Sequence, residues 1–182
     1  MLKKNLDELN GLPSSFVAGL SFKVADYSLL NIELLKKIHT DKNICMYVCF
    51  TEKYLQVDKK LKRAGIDTSN ILFVDLISNS KDQKSKSGNC VFLGKADNFI
   101  DLTIVLHDFM SYKKKVDKCV YVDSVSAMML HNSKEKVLEF LQYLSAKTKI
   151  WSARSVLLMI DEDMEADTVQ EVEKVCDKLI RY

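Results

Sequence analysis

SFVAGLSFKVADYSLLNIELLKKIHTDKNICMYVCF (residues 15–50) holds two short apolar runs with a helical pattern between them. The runs, 15–19 and 44–50, are too continuously apolar to be half-exposed strands, so both read as strands buried on two faces. Between them Asp26 stands where a helix cap belongs, and Leu30, Leu34, Leu35 and Ile38 recur at helical spacing. Buried strand, helix, buried strand is the repeating unit of a parallel sheet.

The same alternation continues along the chain. Further strands are expected at 71–77, 119–122 and 156–160. Helices are expected at 53–64, closed by Gly65 as a left-handed cap, from about Asp97 through Phe109, from Asn132 with Glu135 in a capping box, and from Ala166 through Val175. Residues 176–182 fit either an extension of the last helix or a short edge strand. The polar, lysine-rich stretch 78–89 reads as a mobile surface loop. Together these elements predict a three-layer α/β fold, a mostly parallel sheet flanked by helices. With 182 residues, 47% of them hydrophobic and 29% charged, the chain has the size and composition of one globular domain, neither disordered nor membrane-spanning.

In such a sheet the ligand crevice lies beyond the carboxyl ends of the strands. Gly19, at the expected end of the first strand, is where a phosphate-binding loop G-x-x-x-x-G-K-[ST] would begin. Val24, Ala25 and Asp26 then occupy the positions of the second Gly, the Lys and the hydroxyl, so the motif fails at three of its four defined positions. Lys23 is the nearest cation, but an Asp at the helix start repels phosphate from that helix end. The five glycines never come closer than six residues apart, which also argues against a glycine-rich phosphate cradle. Other strand ends carry acids: Glu52 after the second, Asp123-Ser124 after the fourth, Asp161, Glu162 and Asp163 after the fifth. Neighbouring carboxylates suit a magnesium site or a general base, and equally suit solvated helix caps.

CVYVDSVSAMML (119–130), an apolar run ending in Asp-Ser, resembles the Walker B strand of RecA-like ATPases, with Asp123 at the acidic position. Glu52 matches the position of their catalytic glutamate. VFLGKADNFIDLTIVLHDFM (91–110) and VDSVSAMMLHNSKEKVLEFLQYLSAK (122–147) are similar to a largely archaeal KaiC-like set whose members commonly lack a P-loop. The resemblance implies a RecA-like fold in which the strand ending near Ile160 lies between the Gly19 strand and the Asp123 strand. It implies no ATPase activity, because the phosphate-holding positions do not match. Glu52 and Asp123 are then vestigial catalytic candidates, and Lys23, Ser124 and Asp161 weak ligand-binding ones. No cofactor and no metal is expected.

A net charge of +2, with three Arg among 27 cations, does not match a nucleic-acid binder. The lysine clusters at 59–63 and 113–118 read as solvated helix ends. His39, His107 and His131 have no nucleophile at motif spacing. Five Cys, an odd number and mostly in apolar runs, read as free thiols in a reducing cytoplasm, and the first residues contain no signal-peptide run. The expected role is a non-catalytic domain acting by protein contact, through self-association or by docking on an intact RecA/KaiC-like ATPase. The alternative is a nucleotide- or metal-binding sensor or enzyme using Glu52, Asp123 and Asp161.

Overall fold

Every residue of the first strand, β1 (Phe16–Phe22), is buried. The computed structural model describes residues 6–78, 88–112 and 116–182. Six more strands join β1 in one parallel sheet: β2 (Asn43–Cys49), β3 (Ile71–Asp75), β4 (Cys90–Phe92), β5 (Asp117–Val122), β6 (Arg154–Ile160) and β7 (Lys178–Arg181). Their order is β4-β3-β2-β5-β6-β1-β7, so β6 does lie between the Gly19 and Asp123 strands.

Side chains alternate across a sheet, and here the alternation divides the core in two. Ala18, Leu20, Phe22, Tyr47 and Tyr121 face α1 (Tyr27–Ile38) and α2 (Tyr54–Arg63), where Leu30, Leu34, Leu35 and Leu61 meet them. Val17, Met46, Val48, Val120 and Leu157 face the other way. They meet Leu102 and Leu106 of α3 (Phe99–Ser111), Met128 of α4 (Val125–His131), Leu141 and Leu144 of α5 (Lys134–Ile150) and Val172 of α6 (Ala166–Val175). Each such leucine, almost fully buried, is worth roughly 1.5–3 kcal/mol relative to exposure.

Side-chain caps start three of the six helices among the described residues, α3, α4 and α5. Gly65, at φ +80°, ends α2: Ile66 N–H donates to Leu61 O at 3.0 Å and Gly65 N–H to Lys62 O at 3.0 Å, the double bond pattern of a left-handed cap. Ser133, not Asn132, caps α5, its hydroxyl accepting from Lys136 N–H. Asn132 instead donates to the carbonyls of Ala96 and Met128, both at 3.0 Å. Asp26 precedes α1 but makes no side-chain cap bond, because Val24–Asp26 has already turned into a 3-10 helix.

The structure moves two strand ends, adds two elements and decides between the two alternatives for the last segment. β1 runs on to Phe22, so Gly19 lies mid-strand, paired with Leu157 and Leu179. β3 stops at Asp75, and its edge partner β4 and the short helix α4 are additions. Residues 178–181 form the edge strand β7. Most of the expected loop at 78–89, namely 79–87, lies outside the described residues, as do Lys113, Lys114 and Lys115.

Candidate functional site

Four residues, 23–26, connect β1 to α1, and three of them form the 3-10 turn Val24–Asp26. The link therefore passes from strand to helix without a wide loop. The Val24 amide at the mouth of this turn donates to Glu162 Oε2 at 3.2 Å. A carboxylate of the chain itself thus occupies one donor at this end of the helix. Lys23 is exposed beside it.

At the end of β5, Asp123 is fully buried and held by the turn that follows β2. Phe50 N–H donates to Oδ1 at 2.8 Å, while Thr51 N–H and Thr51 Oγ1 donate to Oδ2 at 3.2 and 2.8 Å. The contacts continue outward. Thr51 Oγ1 lies 2.7 Å from the Tyr27 hydroxyl at the start of α1, and Asn31 Nδ2 donates to Tyr27 OH at 3.2 Å and to Tyr47 OH at 2.9 Å. Tyr121 OH donates to Asn31 Oδ1 at 2.9 Å. Burial pushes the Asp123 carboxyl up to about 7, outweighing the three donors that favour its ionised form. The same burial drives the Tyr27 phenol far above its ordinary range, with the nearby Asp123 charge adding to it.

Glu52 adjoins this group but turns to Lys60, 2.6 Å away. The cavity among Tyr27, Asn31, Tyr47, Glu52 and Lys60 measures about 20 Å³. That is room for a water, whereas small-molecule sites run to hundreds of Å³. Ser124 is spent on structure: its buried hydroxyl accepts from Ala127 N–H at 2.9 Å and caps α4. Asp161 opens the 3-10 turn Asp161–Asp163, and its side chain lies outside the described residues. Of the expected candidates the structure brings together Glu52 and Asp123, assigns Ser124 to a cap and leaves Lys23 at the surface.

A second buried acid, Asp75, ends β3. It accepts from Tyr54 N–H, Ile77 N–H, Ser78 N–H and Ser78 Oγ at 2.6–2.8 Å, and so holds the first turn of α2. Its signal was present in the sequence, since F-V-D at 73–75 repeats the Y-V-D pattern at 121–123. Extending β3 to Ile77 hid it. The lysines after Glu52 are partly neutralised: Lys60 pairs with Glu52 and Lys62 with Asp58. His39 ends α1, His131 ends α4, and His107 meets Trp151 edge-on at 5.2 Å. Among the described residues no three His, Cys, Asp or Glu side chains form a group able to hold a metal ion. No described helix is long and apolar enough to cross a membrane.

No protein-family model matches the sequence, and no curated protein matches it. Solved structures do. The uncharacterized Pyrococcus horikoshii protein PH0321, crystallised in complex with an unknown peptide, is similar at a TM-score of 0.71 and 12% identity, over 98% of this chain and 82% of that one. The KaiC-like protein PH0186 of the same archaeon is similar at 0.61 and 14% identity, over 96% and 75%. The flagellar accessory protein FlaH of Methanocaldococcus jannaschii is similar at 0.56 and 16% identity, over 97% and 76%. The chain has the RecA-like, KaiC-like α/β fold.

Proposed function

We propose that this chain is a non-catalytic RecA/KaiC-like domain that acts by protein contact and does not hydrolyse ATP through a P-loop. The observation that carries this reading is the filled crevice: Thr51 and Phe50 saturate Asp123, Glu162 takes the Val24 amide, and four residues span the place of a phosphate loop. A nucleotide needs open donors and hundreds of Å³ at that point. The bound peptide of the Pyrococcus horikoshii neighbour supports a contact role for this fold. The five free thiols support a reducing, cytoplasmic setting.

For the contact surface we favour the groove of about 540 Å³ between α3 and α5, which Phe99, Ile100, Ile104, Phe140 and Tyr143 line. Ile100 and Ile104 are 77% and 54% exposed, unusual for isoleucines on one helix face. Lys136 and Glu139 of α5 stand on the opposite wall, and Asp97 beside the start of α3. A rim bearing both signs can pair with itself across a twofold axis, so a second copy of the chain is the occupant we assign. An intact RecA/KaiC-like ATPase is the other possible occupant.

Two measurements test this reading. Titration calorimetry with magnesium and ATP, ADP or magnesium alone is expected to give no binding heat at millimolar ligand. Light scattering is expected to show a dimer that the Ile100→Asp/Ile104→Asp double variant converts to monomer. Saturable ATP heat would transfer support to the nucleotide-binding alternative at Glu52 and Asp123. A wild-type chain that stays monomeric would remove the self-association reading, and pull-down with a RecA/KaiC-like ATPase would then decide the other occupant.

A further inference from the structure

The groove between α3 and α5 has a direction. The Phe99 and Phe140 rings meet at 5.3 Å between centroids, and two turns further on His107 meets Trp151 at 5.2 Å. The two helices therefore run parallel, as crossover helices between parallel strands do. At roughly 1.5 Å of rise per residue, the groove between those two contacts is about 12–16 Å long.

Its ends differ in charge. At the Phe99 end stand two acids, Asp97 and Glu139, with one base, Lys136. At the Trp151 end Lys147 holds its ammonium over the Tyr143 and Trp151 rings, 5.2 and 5.4 Å from their centroids. Asp108 follows His107 in sequence but lines a separate cavity with Ile44 and Tyr112, and its carboxylate comes no nearer to His107 Nδ1 than 3.7 Å. Among the described residues, none of Asp97, Lys136, Glu139 and Lys147 belongs to an ion pair. The single chain leaves the charges of this groove unmatched.

Their spacing shares one centre. Glu139, Tyr143 and Lys147 follow at i, i+4 and i+8 on one face of α5. Glu139 and Lys147 are thus equally far from Tyr143, about 6 Å along the helix on either side. Because Phe99 lies level with Phe140, Leu102 lies level with Tyr143. Ile100 and Ile104 stand at equal distances from Leu102, and so do Asp97 and His107. A twofold axis across both helices at this level turns one copy end for end over another. It sets Glu139 opposite the second copy's Lys147, Asp97 opposite its His107 and Ile100 opposite its Ile104, each contact occurring twice. An axis along the groove would instead stack acidic end on acidic end, which like charges oppose.

We propose that the second copy docks on this groove antiparallel, with the axis at Tyr143 and two equivalent Glu139–Lys147 ion pairs setting the register. The proposal rests on the self-association reading above, and adds to it the orientation and the contacts that select a copy of this chain over other apolar surfaces. Only a surface with the same spacing matches every charge at once. Ile100 and Ile104 of the two copies cover one another, and the charges close the rim. Two rings already hold the Lys147 ammonium, so the arriving carboxylate orders little that was free.

The test is sedimentation equilibrium of the whole chain at low salt. Glu139 is exposed and Lys147 half-buried at the surface, so charge reversal spares the core, and circular dichroism checks the fold. The wild-type chain is expected to dimerise. Glu139→Lys and Lys147→Glu are each expected to raise the dimer dissociation constant about tenfold or more, since each turns two attractive pairs into two repulsive ones. Two rescues are expected: the chain carrying both substitutions dimerises again, and the two single variants, mixed, form a heterodimer. A wild-type dimer that Ile100→Asp/Ile104→Asp disrupts but neither charge reversal weakens would overturn the antiparallel arrangement and leave the self-association reading standing. Single-variant losses that neither rescue repairs would do the same. A wild-type chain that stays monomeric would overturn both.

Discussion

Asp123 is a carboxyl group that the folded chain protonates more readily than the unfolded chain does. Burial raises its folded value to about 7 from an ordinary 3.8. Below pH 4 both states carry the proton, and above about 7 neither does. Between those limits only the folded state binds it, so this group's contribution to stability declines as pH rises through the window and stays lost above it. Denaturant unfolding at pH 5 and pH 8 is expected to show that decline in the wild-type chain, and a smaller one in Asp123→Asn. The variant is also expected to lose about 1–3 kcal/mol at pH 5, because its amide nitrogen faces the Thr51 N–H. An identical pH slope in the two proteins would rule out Asp123 as the titrating group. Gly19 carries the second prediction at this scale. A Cβ there would meet Leu179 Cδ1 at 2.9 Å, and Cys176 Sγ and Met159 Cε at 3.1 Å. All three are side-chain ends that can move, so Gly19→Ala is expected to lower stability by about 1–2 kcal/mol, read from the denaturation midpoint. Reading Gly19 as a loop glycine was reasonable locally. What makes it a packing glycine is β6 and β7, which arrive more than 130 residues later.

Among the elements, those with a long apolar period were readable in advance: α1, α2, α3 and α5 and the central strands all appear close to their expected positions. The misses share a physical cause. β4 has three residues and gains its identity only by pairing with β3. α4 has seven residues directly after Asp123-Ser124, too few to display a period, and is fixed by Ser126, whose hydroxyl accepts from Ile160 N–H at 2.8 Å on β6. The ambiguous last segment becomes β7 because Asp177 docks it: Asp177 N–H donates to Val17 O at 2.8 Å, and its Oδ2 accepts from Val17 N–H at 2.9 Å. Asp177→Ala leaves a donor on fully buried Val17 without its partner, at an expected cost of about 1–3 kcal/mol. Hydrogen exchange is expected to show the Val17 amide and the β7 amides losing protection together. Protection unchanged at both would mean that Asp177 does not hold the edge. The candidate site was legible to the same degree. Asp123 and Glu52 follow from strand ends, but their partners Tyr27, Thr51 and Asn31 come from other elements, and no local pattern announces that they converge.

For the molecule as a whole, the sequence pattern predicted the layers and the RecA-like resemblance implied the insertion of β6, and the sheet bears out both. It left open whether the strand-end crevice was spacious or filled, because that depends on side chains meeting across a cleft. β1 is made first, yet it pairs with β6 and β7, which lie within residues 154–181, and with no strand between. As the chain leaves the ribosome, β2, β3, β4 and β5 can already form a sheet of their own while β1 waits with both edges bare. Such distant pairing slows folding and prolongs the exposure of an adhesive strand. The seven residues Phe16–Phe22 are thus the part of this chain that most needs a chaperone during synthesis.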